Sequence, residues 1–451
     1  MIKRYTLILL LIGIGTQAYA QERILTKLIV GNEGNFTRGN ATLTEFLPAT
    51  QTATQGVFST ANQGNGIGDV VQSMAVINGD LYVVVNNSAR IAILDSATYQ
   101  QKGIIETGDG SSPREIVAIS ETKAYVTDLN NFVYIVDLEN RTVSNDVIPA
   151  GIQSDKMILT NGIVYVANSS FGNDSTLFAI DPVTDTVIDT VVVARGPASM
   201  QVDSNGLLWV VCTGFAGVFD SSIGEFGGFI PGTSRPGGLY AVSTTTREVV
   251  VQAELASARE DIAVSEDGQF VYVNSGGIRA FNTSTLEFLA DTLIPGNFNS
   301  FTLDDAGSQF YLANARDFSS SGEVVIYSES GEQLSSFDTG IIPGNFLRIY
   351  GDGTSTTTES DDQISGFNLA QNYPNPFNPT TQIEYTVPQS GLVRLTVYSS
   401  AGQKIVELVN GIQSQGTHSV QFNGAGLASG LYIYQIQYEN RIETNKMILL
   451  K

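Results

Sequence analysis

Arginine recurs in this sequence beside carboxylates, glycines and prolines, as Pro113-Arg114-Glu115, Arg195-Gly196-Pro197, Arg259-Glu260-Asp261, Arg316-Asp317 and, later, Arg348. A guanidinium group presents paired N–H donors that match planar carboxylates and phosphates, so a cluster of these residues would recognise an anionic group. The adjacent acids leave a second reading open: Arg114 with Glu115, and Arg259 with Glu260 and Asp261, can neutralise one another as ion pairs between structural units. A glycine-rich stretch, residues 214–238, carries Phe215, Phe219, Phe226 and Phe229. Exposed aromatics on such a loop can stack on a sugar or cover a peptide, or they can pack down as an extra hairpin.

Other chemistry is limited by composition. The chain has a single histidine, His418, and a single cysteine, Cys212. Multi-histidine zinc sites and thiolate clusters cannot be built from these, and a Ser-His-Asp triad would have only His418 to use. His418 shares strand parity with Val420 and Phe422, which reads as structural. The net charge of −22 would repel a phosphate backbone, so nucleic acid is not an expected partner. Asp203-Ser204-Asn205-Gly206, Glu266-Asp267-Gly268 and Asp304-Asp305-Ala306-Gly307 resemble calcium loops at first sight. None continues to the bidentate Glu that such a loop needs, and Asn/Asp-Gly at these places supplies hairpin geometry. No metal and no cofactor are expected.

The elements that must position these residues form a repeat. A β-rich anchor strand recurs at Leu28-Ile29-Val30, Leu81-Tyr82-Val83, Ala124-Tyr125-Val126, Val164-Tyr165-Val166, Leu208-Trp209-Val210, Val271-Tyr272-Val273 and Phe310-Tyr311-Leu312. From Tyr82 onward the anchors are 43, 40, 44, 63 and 39 residues apart, the size of a four-stranded propeller blade. The spacing of 63 contains the 214–238 insertion. The first copy lacks the inner strand that precedes every later anchor, and a spare strand, residues 343–350, follows the last. Pairing the two would close the ring and remove its open edges. The expected fold is all-β, a seven-bladed β-propeller over residues 24–350. The loop after each anchor and the loop entering the next inner strand then emerge on one face, which would gather the arginines near one mouth of the central channel with the insertion above it.

Both ends of the sequence carry transport signals. Lys3 and Arg4, an apolar run over residues 7–15 and Ala18-Tyr19-Ala20 read as a signal peptide over residues 1–20, cut before Gln21. Residues 351–366 are Thr/Ser-rich and acidic, a solvated linker. Beyond them, alternating apolar strands over residues 367–451 predict a small immunoglobulin-like β-sandwich, with Ile383, Tyr385 and Val387 on one face of one strand and Tyr432, Tyr434, Ile436 and Tyr438 on one face of another.

Two resemblances follow from these residues. Tyr165-Val166-Ala167-Asn168, Ala179-Ile180-Asp181-Pro182 and Tyr311-Leu312-Ala313-Asn314 resemble the Tyr-Val-Thr/Ala-Asn repeats of bacterial cell-surface propellers, and the opening Val30-Gly31-Asn32-Glu33-Gly34-Asn35-Phe36 is similar to a group of uncharacterised exported propellers. These motifs mark strands and turns, so they imply architecture. The C-terminal region resembles the type A sorting domain of the type IX secretion system, through Asn372-Tyr373-Pro374-Asn375-Pro376-Phe377-Asn378-Pro379, Val397-Tyr398 before Gly402-Gln403-Lys404, Gly416-Thr417-His418-Ser419-Val420, Leu427-Ala428-Ser429-Gly430-Leu431-Tyr432 and Lys446-Met447-Ile448-Leu449-Leu450-Lys451. Ser399-Ser400-Ala401 departs from the usual pattern at the hairpin turn. The resemblance implies partnership with the Sec translocon, signal peptidase and the outer-membrane translocon of a Gram-negative cell, with removal of the tail or lipid attachment as its fate.

The expected function is a secreted or surface-displayed binding module for an extracellular glycan, peptide or small anion, with ligand contacts from Arg114, Arg195, Arg259, Arg316, Phe215, Phe219, Phe226 and Phe229. A metal-assisted hydrolase, lyase or lactonase-like propeller using channel carboxylates, and a structural or adhesive surface component, are the alternatives.

Overall fold

A computed structural model describes residues 23–222, 228–256, 258–304, 308–352, 368–370, 372, 374–387, 391–399, 404–413, 416–438 and 441–450. The expected leader, most of the linker, Phe226, Tyr373 and Gly402 lie outside the described residues.

Within residues 23–352 the anchor strands are apolar on both faces, because each is packed between two neighbouring sheets. Leu81 and Val83 are buried against Ile29 and Leu43 on one side, while Tyr82 and Val84 are buried against Ile116 and Val126 on the other. A strand covered on both faces reads as a continuous apolar run instead of an alternating one. Seven four-stranded units result, with antiparallel order inner, anchor, third, outer. The inner strands are Val71–Ile77, Pro113–Ala118, Ser154–Thr160, Pro197–Val202, Ile262–Val264, Ser300–Asp304 and Pro343–Asp352. We number the blades one to seven in that order. The fifth outer strand is interrupted, with Glu287–Phe288 and Ile294–Pro295 both pairing on Gly277–Asn282.

Tight turns join inner to anchor strands. Asn78-Gly79 and Asn161-Gly162 have φ of 52° and 81°, and of 49° and 75°. These are the paired left-handed residues of a two-residue hairpin turn. Asp203 accepts hydrogen bonds from the Asn205 and Leu207 amides and from Trp209 Nε1 at 2.8, 2.9 and 2.9 Å, so this acidic turn is tied down by its own blade.

Closure of the ring is visible in two independent ways. The strand Arg23–Asn32 pairs antiparallel with Pro343–Asp352, with Leu28 opposite Arg348, Ile29 opposite Leu347 and Val30 opposite Phe346. The propeller also contains seven inter-blade cores; an open row of seven sheets would have six. The seventh blade is therefore assembled from both ends of the repeat array, and its anchor feeds two cores: Ile29 faces blade one and Leu28 and Val30 face blade six.

The C-terminal region is a two-sheet sandwich. One sheet holds Lys404–Gln413, Gly391–Ser399, Gly430–Tyr438 and Arg441–Leu449, the other Asn368–Leu369, Thr380–Val387 and Gly416–Asn423. Ile383, Tyr385, Val387, Val393, Leu395, Val397, Tyr432, Tyr434, Ile436 and Tyr438 form its core, as strand alternation predicts. Its entry motif is pinned by polar contacts. Asn372 donates through Nδ2 to Thr381 Oγ1 at 2.8 Å, Asn375 accepts the Ile448 amide at 2.9 Å, and Phe377 is buried with its amide bonded to Ile448. His418 stacks on Tyr385 across the sheet, ring centroids 5.4 Å apart.

Ile29 is fully buried in the shared blade, and truncating such a side chain costs about 2–5 kcal/mol. Ile29→Ala is expected to lower the unfolding free energy of the propeller by that amount and so to lower its urea midpoint, read from the lone Trp209 in blade four. An unchanged midpoint would show that the first strand is dispensable to the ring.

Candidate functional site

The inner strands carry a register shift near their channel-entry ends. It falls between Val71 and Ser73, Pro113 and Ile116, Ser154 and Met157, and Pro197 and Ser199. Arg259 donates its amide to the Asn274 carbonyl at 2.8 Å, which sets Glu260 and Asp261 at the corresponding place in blade five. A bulge frees residues from the ladder and re-aims their side chains. Here it delivers Arg114 and Glu115 from blade two, Asp155 and Lys156 from blade three, and Glu260 and Asp261 from blade five to one mouth of the channel.

Inter-blade ion pairs follow. Arg114 grips Asp155 with two parallel bonds, Nε to Oδ1 at 3.0 Å and Nη2 to Oδ2 at 2.9 Å, both side chains largely buried. Lys156 reaches back to Glu115 at 3.0 Å. Burial pushes Asp155 upward, but the Arg114 guanidinium outweighs it and holds the carboxyl below its usual range. At the neighbouring acids burial wins, even at Glu115 with Lys156 beside it. Burial raises Glu33, Glu115 and Glu260, the last further through Asp155, and pushes Asp261 up to about 7. Water reaches Glu260, yet the surrounding wall still deprives it of bulk solvation.

Two adjoining cavities occupy the axis. A channel of about 220 Å³ is lined by Ser73, Glu115, Lys156, Asp261 and Phe346 among others. Above it lies a well of about 470 Å³, walled by Glu33, Lys156, Phe171, Arg259, Glu260 and Asp261. They share Lys156, Asp261, Ser300, Gly344 and Asn345. Gly344 leaves the space that Glu33 uses: a Cβ there would meet Glu33 Oε1 at 3.0 Å. Thr213, Gly214 and Ala216, at the base of the insertion, complete the wall. Phe171 is 70% exposed and has a left-handed backbone with φ 49°, and a Cβ on the next residue, Gly172, would collide with the Gly214 carbonyl at 2.3 Å. The loop carrying Phe171 is thus seated directly on the insertion.

The arginines expected to act together do different things. Arg114 lines neither cavity; it supports the wall through Asp155, which lies in the next blade, and Glu115 is matched by Lys156. Arg259 lines the well, donates to Asn297 Oδ1 at 3.0 Å, and has no carboxylate in ion-pair range among the described residues. Arg195 donates to the Asn173 carbonyl at 3.0 Å and lies over the Phe215 ring. Arg316 is held by Glu323 at 3.4 Å and Asp338 at 3.1 Å, both in blade six. Arg348 donates to the Leu303 carbonyl. The insertion forms a short hairpin, Phe219–Asp220 with Gly228–Phe229; Phe219 and Phe229 meet edge to face at 5.7 Å and stay 58% and 52% exposed. Glu33, Asp155, Lys156 and Phe171 were missed. The signal available for Asp155-Lys156 was positional, since both stand where Arg114-Glu115 stand in the preceding repeat.

Comparisons with known proteins agree with this architecture. Residues 27–215 match the domain of unknown function DUF5074, and residues 371–450 match the secretion system C-terminal sorting domain. The tail implies secretion through the type IX system, to the cell surface or beyond. No curated protein matches the chain in sequence. Among solved structures, a quinoprotein alcohol dehydrogenase-like protein from Bacteroides thetaiotaomicron is similar over 71% of this chain and 77% of its own, with 13% identity and a TM-score of 0.51. Kuenenia stuttgartiensis hydrazine synthase is similar over 60% of this chain and 87% of its own, with 13% identity and a TM-score of 0.48. At such identity the first likeness is one of fold, and the second carries no further weight.

The raised carboxyls set a sign for pH dependence. A folded-state pKa above the unfolded value of about 4 means that the native state holds its proton longer, so stability falls as pH rises from about 4 to 7. Asp155 has the opposite sign, its contribution being lost only in acid. Asp261→Asn is expected to flatten the fall between pH 5 and 8 and to raise stability at pH 8 by about 2 kcal/mol, measured by urea denaturation. An Asn variant that keeps the wild-type slope would contradict the assignment.

Proposed function

We propose that the chain is a secreted or surface-displayed binding module whose ligand seats in the well at the channel mouth. One observation carries this reading: charged side chains from blades three and five and from the loop after the first strand converge on a half-open cavity of about 470 Å³, a volume within the range of small-ligand sites. The insertion builds one wall and places the exposed Phe219–Phe229 pair beyond it. Arg259 is the arginine best placed for contact, Arg114 holds the wall, and Arg195 and Arg316 belong to the rim. Kinship with the Tyr-Val-Thr-Asn cell-surface propellers is part of the same reading, with residues 24–350 as the working domain, 351–366 as linker and 367–451 as transport tail. The route we infer begins with the Sec translocon and signal peptidase at residues 1–20 and passes through the periplasm.

Two measurements test this. In screens of the mature chain from Gln21 against oligosaccharides, short peptides and small anions, a ligand is expected whose binding falls at least tenfold in Ala216→Trp, which fills the well from an exposed position, and in Arg259→Ala. Binding untouched by both would move the site elsewhere. In cells, deleting residues 371–450 is expected to abolish export; continued appearance of the truncated chain outside the cell would refute the role of the tail.

A further inference from the structure

Charge within the well does not balance. Its lining, with that of the channel beneath, holds Glu33, Glu115, Glu260 and Asp261 against Lys156 and Arg259. Glu115 and Lys156 cancel at 3.0 Å, which leaves three carboxylates facing one guanidinium, itself bonded to Asn297. The three acids come from two separate chain segments; the charge of Glu260 opposes ionisation of Glu33 and Asp261, while Arg114 favours that of Glu33 and Lys156 that of both. Asp261 has the Phe301 amide as a donor at 3.2 Å.

Two further observations point to an occupant. Ser73 Oγ, on a residue only 4% exposed, lines the adjoining channel and has no hydrogen-bond partner among the described residues. Phe171 brings an exposed aromatic face into the wall, and the hairpin of the insertion that builds the same wall carries two more exposed phenylalanines, Phe219 and Phe229. A metal ion does not suit the site, since no three acidic side chains among the described residues come close enough to share one. An ammonium group needs fewer close partners, because it can donate to one or two carboxylates within an acidic surround while an aromatic face attracts its charge.

We propose that the well selects ligands in which a primary ammonium group is carried on an apolar or aromatic body, the ammonium facing Glu33, Glu260 and Asp261 and the body resting against Phe171. This rests on the reading of the mouth as the binding site and narrows its ligand class to organic cations. Phenethylamine combines both features, and N-acetylphenethylamine and phenylacetate retain the ring while removing or reversing the charge.

Titration calorimetry on the mature full-length chain at pH 8 is the test. Phenethylamine is expected to bind at least tenfold more tightly than either analogue, and Glu260→Gln, at a water-exposed position, to weaken it at least fivefold with a urea midpoint no lower than that of the wild type. Asp261→Asn should weaken it similarly. Phenylacetate binding as tightly as phenethylamine would overturn the charge assignment while leaving the well as a site, provided Ala216→Trp still blocks it. Phenethylamine binding that is absent at millimolar concentration, indifferent to both carboxylate variants, or displaced by millimolar calcium would also overturn the proposal.

Discussion

Antiparallel pairing between Arg23–Asn32 and Pro343–Asp352 is the constraint on which the remaining geometry rests. Each blade is a twisted sheet with two apolar faces, and neither face can be left to water. Stacking in a row would always leave two faces uncovered. By closing the row, this pairing lets Leu28 and Val30 cover one neighbour and Ile29 the other, so all seven sheets are buried on both sides. It also removes two unpaired strand edges and sets the seven inner strands around one narrow axis.

That narrow axis explains the electrostatics. Bulged residues from neighbouring blades are forced together where water is scarce, and an isolated charge there would be costly. The two ion pairs that meet this demand run between blades two and three, Arg114 with Asp155 and Glu115 with Lys156. Each blade contributes one cation and one anion, so the pairs brace the two blades against each other. Blade five contributes two acids, Glu260 and Asp261, and blade four, between them, contributes Ala198 and Ser199 at the matching place. The imbalance of the mouth therefore arises from which blades carry charge at a single repeated position.

The architecture was legible because it depends on residues that repeat. Tyr82, Tyr125, Tyr165, Trp209, Tyr272 and Tyr311 are all buried, and the missing first strand and spare last one announced their pairing. The tail was legible for the same reason, its alternation mapping onto one core. The site was less so. Arg114 and Glu115 were visible as charged residues, but their partners depend on how two inner strands bulge toward one axis, which no local pattern records. Arg316 looked like a mouth residue until the outer strand of its own blade brought Asp338 within 3.1 Å. Phe171 sits in a polar loop, and its exposure follows from the close approach of Gly172 to Gly214.

Closure also sets an order of events. Thr26 Oγ1 bonds to the Ile349 carbonyl across 323 residues, and contacts so distant in sequence are slow to form because the intervening chain must be ordered first. The first strand must wait for its partner until almost the whole propeller has been made, and that partner is the last strand before the sorting domain. A nascent or threading chain therefore keeps its opening strand unmatched until the segment next to the sorting domain arrives. Maturation of the ring and presentation of the tail become nearly simultaneous, so a chain cut short before residue 343 would lack both its seal and its export address.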